Sequence, residues 1–275
     1  MDKTELENLN KTCKKIRREV IEMIYNAKSG HPGGSLSAVE ILTTLFKKCM
    51  NIYPDWDKNP NFKNRDRFIL SKGHASATLY AVMAEYGYFS ESELNTFRHF
   101  GTKLQGHPSC KMLNGIEVST GSLGQGLSMA NGIALAMKLD KNPANVFVYL
   151  GDGELQEGNI WEAAMAAAHY KSDNLIAFVD YNGLQIDGKI CDIMNLGDIS
   201  KKFEAFGWDT ISIDGHNIEQ IENAANLAKK NQKPTVIIAK TIKGKGVSFM
   251  ENQTSWHGKA PNKDEYELAM KELED

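Results

Sequence analysis

Three short segments, Val146–Leu150 (VFVYL), Leu175–Asp180 (LIAFVD) and Thr235–Lys240 (TVIIAK), are apolar at almost every position. A strand with one wet face alternates polar and apolar residues, so a run that is apolar throughout must be covered on both faces. Helical patterns lie between these runs: an alanine-rich segment from Ile160 to Tyr170, and Ile218 to Lys229. Strand, helix and strand in succession form a βαβ unit. The fold class is therefore α/β, a parallel sheet covered by helices on both faces. Ligands of such sheets sit beyond the carboxyl ends of the strands, where the loops after Leu150, Asp180 and Lys240 converge.

The flanking chain is consistent with this layering. Leu6, Leu9, Cys13, Ile16, Val20 and Ile24 recur every three or four residues and predict one buried helical face from Leu6 to Ala27, ended by Ser29-Gly30. The GHPGG cluster reads as a loop, after which Ser35 or Ser37 is placed to cap a helix running to about Met50. Arg67–Leu70 (RFIL) reads as a further buried strand, followed by an SKGH turn and a helix from Ala75 to Tyr86. Residues 262–275 read as a short polar terminal helix. With no repeat, low-complexity tract or compositional break, 1–275 is expected to form a single domain, and its 41% hydrophobic content supplies a full core.

A net charge of -3, from 32 basic and 35 acidic residues, gives no electrostatic reason to expect a nucleic acid or an anionic membrane as partner. Cys13, Cys49, Cys110 and Cys191 are scattered without a CxxC pair, which argues against a zinc site or a disulfide framework. The charged N-terminus lacks an apolar signal core, and no apolar run approaches the ~20 residues that span a bilayer. A cytoplasmic location is expected.

Immediately after VFVYL comes GDGELQEG, a glycine-rich turn opening a helix. Glycines permit close approach of a ligand, a helix N-terminus offers free N–H groups to an anion, and Asp152 suits a hard cation bridging to phosphate oxygens. Asn182 lies just past the next strand, in VDYNGLQIDG. If the two strands are neighbours, the Asp152 carboxylate and the Asn182 amide oxygen meet at one point. The seven histidines show a second pattern. His31 (SGHPGG), His74 (SKGHAS) and His107 (QGHPS) each follow glycine, and His257 (SWHGKAP) precedes one. Any one of them alone is better explained as an exposed loop residue or a satisfied structural histidine; four together suggest proton shuttles and hydroxyl partners near neutral pH. His99, His169 and His216 lack such settings and read as structural. Glu157 and Glu162 have an ordinary explanation too, as acidic partners of a helix dipole.

A GDG followed about thirty residues later by an asparagine resembles the signature of thiamine diphosphate enzymes. The segments SGHPGGSLSAVEIL, NRDRFILSKGHAS, LQGHP, EVSTGSLGQGLSMANG and GDGELQEGNIWEA, with the final HG, resemble transketolases in content and in order over nearly the whole chain. The resemblance implies the diphosphate-binding half of a thiamine diphosphate-binding fold. It implies that Asp152, Asn182 and the Leu184 carbonyl hold Mg2+, with Ca2+ or Mn2+ equally suited to an oxygen site. It further implies that Gly121, Leu123, Gly153 and Ile186 contact the cofactor and that His74 and His257 lie near the diphosphate and the reacting centre. His31 and His107 would contact the donor sugar, and Glu157, with Glu162, would join a proton network between two active sites. Lys243, and Lys72, resemble cofactor or substrate contacts in some members.

The implied activity is transfer of a two-carbon ketol unit from a ketose phosphate to an aldose phosphate, as in the pentose phosphate pathway. In transketolases the glutamate that activates the cofactor lies in a pyrimidine-binding domain, and neither that domain nor the C-terminal domain is found here. The expected partner is a C-terminal transketolase subunit, in an α2β2 heterotetramer; the finished look of the last helix favours a split gene over a fragment. Alternatives are a subunit of a deoxyxylulose phosphate synthase, a 2-oxoacid dehydrogenase α-like subunit, or a non-catalytic half-enzyme acting as a binding module.

Overall fold

The computed structural model of the chain describes residues 1–54, 58 and 62–274. Seven strands occur there in chain order: β1 (Arg67–Leu70), β2 (Val146–Gly151), β3 (Leu175–Tyr181), β4 (Leu184–Gln185), β5 (Gly188–Lys189), β6 (Asp209–Asp214) and β7 (Thr235–Lys240). The principal helices are α1 (Lys3–Ala27), α2 (Pro32–Leu36), α3 (Val39–Thr44), α4 (Ser76–Glu85), α5 (Gln125–Leu139), α6 (Gly158–His169), α7 (Ile190–Ile193), α8 (Ile199–Ala205), α9 (Ile218–Ala228) and α10 (Lys263–Glu272). Five strands form one parallel sheet in the order β1-β2-β3-β7-β6, and β4 and β5 make a small antiparallel hairpin.

The continuous apolar runs have the predicted cause. Along β2, Phe147 and Tyr149 enter a core shared with α1, α3, α4 and α9, whereas Val146, Val148 and Leu150 enter a second core shared with α5, α6 and α8. In β3, Ile176 and Phe178 face the first layer while Leu175, Ala177 and Val179 face the second. Side chains alternate across a strand, so covering both faces demands apolar residues at every position. Each Val, Leu, Ile or Phe among them contributes about 1.5–3 kcal/mol on burial.

Several regular elements carry no sequence prediction, among them α5 and β6 and the short β4, β5, α7 and α8. In α5 the glycines Gly126 and Gly132 lower helix propensity and the apolar face is interrupted. The edge strand β6 reads DTISID, alternating and only half-buried, so it lacks the apolar density of its neighbours.

The region around GHPGG departs from expectation. Residues Pro32–Leu36 form a short helix, with Pro at its start where a missing N–H costs nothing. Neither serine caps the next helix: Ser35 Oγ is buried without a partner, and Ser37 Oγ donates to Gly34 O at 3.1 Å and Asp180 Oδ2 at 2.6 Å. Continuation to Met50 proceeds by α3 and then a wider turn over Leu45–Cys49, closed by Met50 N–H to Leu45 O at 2.8 Å. At the other terminus, Asn262 and Glu265 form a reciprocal capping box for α10, and Asp275 lies outside the described residues. Among the described residues no helix is long and apolar enough to cross a membrane.

Candidate functional site

Strands β2 and β3 are paired with Gly151 opposite Asp180, so the loops that follow them leave the sheet at the same height. The Asp152 N–H donates back to Asp180 O at 3.2 Å. Asp152 Oδ1 accepts from Gly153 N–H at 2.8 Å and Oδ2 from Gly183 N–H at 2.6 Å, which sets the carboxylate beside Asn182. The Asn182 amide is oriented at both ends: Nδ2 donates to Asp180 Oδ1 at 3.2 Å, and Oδ1 accepts from Leu184 N–H at 3.1 Å. Asp152 is only 3% exposed, and burial together with the nearby Asp180 carboxylate pushes its carboxyl up to about 7.

These observations bear on whether a cation fits. A carboxylate oxygen, an amide oxygen and a backbone carbonyl are hard donors of the kind that magnesium, calcium and manganese prefer. A divalent ion would also relieve the electrostatic cost that raises Asp152. Among the described residues no group of three or more His, Cys, Asp or Glu side chains is arranged for a metal. The residues present therefore fit a hard cation bound partly by the protein and partly by its ligand.

Beneath this pair lies a residue the sequence did not single out. Asp180 is fully buried and accepts from Lys72 Nζ at 2.6 Å, Ser37 Oγ at 2.6 Å, Tyr149 Oη at 3.0 Å and Thr241 Oγ1. Burial alone would raise its carboxyl, but the Lys72 ammonium and the hydroxyls overcome that and hold it down at about 2. Lys72 also donates to Gly34 O at 2.8 Å, so its ammonium is committed to the frame instead of to an open ligand position. Glu154 plays a similar part on the other side of the turn. Its carboxylate accepts from Gly124 N–H at 2.9 Å, Gly151 N–H at 3.0 Å and Ser71 Oγ, tying the GDG turn to the STGSLGQG loop. Gly126 lets those segments touch, because a Cβ there would lie 2.2 Å from Ser71 Oγ. The turn itself differs from a direct helix start: Gly153–Gln156 forms a tight helical turn, and α6 begins only at Gly158.

The four histidines in glycine-rich loops come together. The His31 ring centroid lies 5.4 Å from His74, 5.6 Å from His257 and 6.2 Å from His107, and His74 lies 5.1 Å from His257. Close backbone approach makes this cluster possible: a Cβ on Gly34 would lie 3.1 Å from the His74 ring, and one on Gly121, at φ +133°, 3.0 Å from the His107 ring. Burial and neighbouring cations lower all four, to about 4 for His31 and about 3 for His257. The imidazoles are therefore neutral near pH 7 and offer one donor and one acceptor each. Lys243 Nζ sits 2.9 Å from His257 Nδ1 and 3.4 Å from Leu184 O, and burial followed by Lys72 lowers its ammonium to about 8.

One cavity of about 310 Å³ is lined by all of the residues expected to bind cofactor, metal or substrate: His31, His74, His107, His257, Gly121, Leu123, Asp152, Gly153, Glu157, Asn182, Leu184, Ile186 and Lys243. Its volume lies within the range of small-molecule sites. Ile186 is 64% exposed at the rim, and Glu157 is likewise exposed there. Glu162 is exposed on α6 and does not line the cavity. His99 and His169 are exposed, while His216 lines a separate cleft of about 850 Å³ at the carboxyl ends of β6 and β7. That larger cleft holds none of the residues singled out for chemistry.

His216 nevertheless bears on the first cavity. Its Nδ1 faces Glu40 Oε2 at 2.8 Å, and its Nε2 accepts from Ile242 N–H at 2.8 Å. Glu40 in turn holds Arg17 at 2.5 Å, and Arg17 Nε donates to Lys245 O at 2.9 Å. The triad thereby grips both ends of the turn that carries Lys243. No sequence signal marked it, because its members are 23 and 176 residues apart.

Comparison with known proteins adds a family match, two relatives and a solved structure. The family described as "Transketolase, thiamine diphosphate binding domain" matches residues 9–274. An apulose-4-phosphate transketolase subunit of Phocaeicola vulgatus is 42% identical over 270 residues, covering 98% of this chain and 95% of that protein. The 6-deoxy-6-sulfo-D-fructose transketolase subunit SqwG of Clostridium sp. strain MSTE9 is 45% identical over 260 residues, covering 94% of each. Among solved structures, transketolase from Campylobacter jejuni superposes with a TM-score of 0.90 at 36% identity over 99% of this chain, which spans 43% of that longer one.

Proposed function

Since the chain belongs to the transketolase family, we propose that it is the diphosphate-binding subunit of a ketol-transferring enzyme whose active site is completed by a second polypeptide. The observation that carries this reading is the convergence of an oxygen-donor pair and four neutral histidines on one cavity. Thiamine diphosphate, when bound, supplies the carbon nucleophile through which a two-carbon ketol unit passes from a ketose phosphate to an aldose phosphate.

The chain's own residues have distinct tasks. Asp152, Asn182 and the Leu184 carbonyl hold the divalent cation, magnesium in the first instance, that anchors the diphosphate. Gly121, Leu123, Gly153 and Ile186 form the walls, where small or apolar groups allow close contact. His74, His257 and Lys243 stand beside the diphosphate and the reacting centre. His31 and His107 hydrogen-bond sugar hydroxyls. A neutral imidazole whose ring lone pair is not already engaged can take a proton from a substrate oxygen without first releasing one to solvent. Glu157, at the exposed rim, is placed to join a proton network with a second active site, and Glu162 stands further out on the same helix.

Two relatives that are themselves named as transketolase subunits match over 95% and 94% of their own length, which supports a polypeptide of this size that works with another. The partner is a C-terminal transketolase subunit carrying the pyrimidine-binding domain and its activating glutamate, in an α2β2 assembly in the cytoplasm. A pentose phosphate is the default substrate. The two relatives are named for different sugars, and phosphate-binding residues of the partner subunit take part in selecting donor and acceptor. The test is product analysis of the reconstituted pair with thiamine diphosphate and magnesium. Ketol transfer from xylulose 5-phosphate to an aldose phosphate is expected; turnover of pyruvate in its place would overturn the assignment.

A further inference from the structure

Arg98 lies outside the cavity wall, yet it touches one of the four histidines. Its Nη2 is 3.3 Å from His31 Nδ1 and 3.2 Å from Gly106 O, and its Nη1 donates to Ser29 Oγ at 3.0 Å. The residue is built into this position. Its backbone has φ 60°, a region that side-chain-bearing residues seldom occupy, and its N–H donates to Leu104 O at 2.9 Å. Gly106 leaves the space the guanidinium fills, since a Cβ there would lie 2.9 Å from Arg98 Cζ.

We propose that Arg98 is a positioning residue that locks His31 as its Nε2–H tautomer, so that His31 meets the substrate as a hydrogen-bond donor. A guanidinium carries five N–H donors and no acceptor, and it stays charged at any pH a protein tolerates. A nitrogen facing it must therefore offer a lone pair. With Nδ1 bare, the one proton of the neutral ring resides on Nε2. That nitrogen is on the side closed by the loop after His257: a Cβ on Gly258 would lie 3.9 Å from it. His31 thus donates to a carbonyl or hydroxyl oxygen in the cavity, and the lone pair that would make it a base is occupied by Arg98. The tautomer follows from geometry alone; its use on a sugar rests on the function proposed above.

The test is two-bond proton–nitrogen correlation NMR on the isolated chain labelled at histidine nitrogens, with His31 signals assigned by their loss in His31→Gln. A single dominant form with protonated Nε2 and bare Nδ1 is expected. In Arg98→Met the preference for that form should fall roughly tenfold, as expected for loss of one charge-assisted hydrogen bond. Protonated Nδ1 in the wild type, or an unchanged spectrum in the variant, overturns the proposal. Should Arg98→Met fail to fold, Gly106→Ala, which displaces the guanidinium without removing it, must shift the same signals, and no shift overturns the proposal. In the reconstituted enzyme, Arg98→Met is expected to raise the donor ketose KM about tenfold, with a smaller change in kcat. Wild-type values of both would overturn the substrate-facing role, whereas absence of ketol transfer in the wild-type pair would count against the enzyme assignment and leave the tautomer result standing.

Discussion

Asp152 holds its place in the cavity at a cost to itself. It accepts two backbone N–H bonds, yet burial still pushes its carboxyl up to about 7, a penalty that a bound cation removes. Asp152→Asn keeps the shape and removes the charge. Calorimetric titration of the reconstituted pair with magnesium thiamine diphosphate should show affinity reduced by at least the roughly 10–100-fold typical of losing even an outer-shell partner. Gly126 is a contrasting case in which the effect is steric. Its replacement by Ala places a methyl against Ser71 Oγ and Cα and should cost about 1–3 kcal/mol, read as a lower denaturation midpoint with an unchanged slope. Asp152, Asn182 and the histidines were legible because their flanking glycines and spacing are local. Asp180 and Glu154 were not, since an acidic residue at a strand end or in a turn looks the same in sequence whether it is solvated or buried. The difference is made by Lys72, 108 residues from Asp180, and by Ser71, 83 residues from Glu154.

At the scale of elements, what could be read was what two-sided burial imposes. β1, β2, β3 and β7 fall where their apolar runs lie, and α1, α4, α6, α9 and α10 lie within a few residues of their predicted spans. The edge strand β6 is covered less and so carries a weaker pattern, while α5 trades helix propensity for the close approach that Gly126 permits. The GHPGG stretch was misread as a loop because glycine and proline usually break helices. Here proline starts a short one, and Gly33 and Gly34 lie where a Cβ would meet Trp256 O at 2.9 Å and the His74 ring at 3.1 Å. The turn carrying Lys243 is likewise held from a distance, by His216 and Arg17. His216→Leu removes the acceptor for Ile242 N–H. Hydrogen exchange at Ile242 should then quicken about tenfold or more, with weaker cofactor binding, while exchange along β2 stays unchanged. Equal acceleration throughout the sheet would mean that His216 supports the fold generally and not this turn.

For the molecule as a whole, four neutral histidines gathered in one cavity shape the acid response. His74 is lowered well below 6.5 by burial and by Lys72, so its contribution to stability is present above pH 6.5. As pH falls below 6.5 the unfolded chain takes up a proton that folded His74 refuses, and that contribution is lost. Denaturant titrations at pH 7.5 and 5 should therefore show the wild type losing more stability than His74→Gln; an equal loss would contradict the shift. On the function proposed above, the same cavity anchors the diphosphate end of a cofactor and leaves the other end to a partner. The most direct measurement is thiamine diphosphate affinity and ketol transfer in the presence of magnesium, for this chain alone and for the chain co-purified with a C-terminal transketolase subunit. A half-site predicts weak binding and no turnover by the chain alone, and tight binding with transfer from a ketose phosphate by the pair. Full turnover by the isolated chain, or a pair that binds the cofactor tightly and transfers nothing, would contradict it.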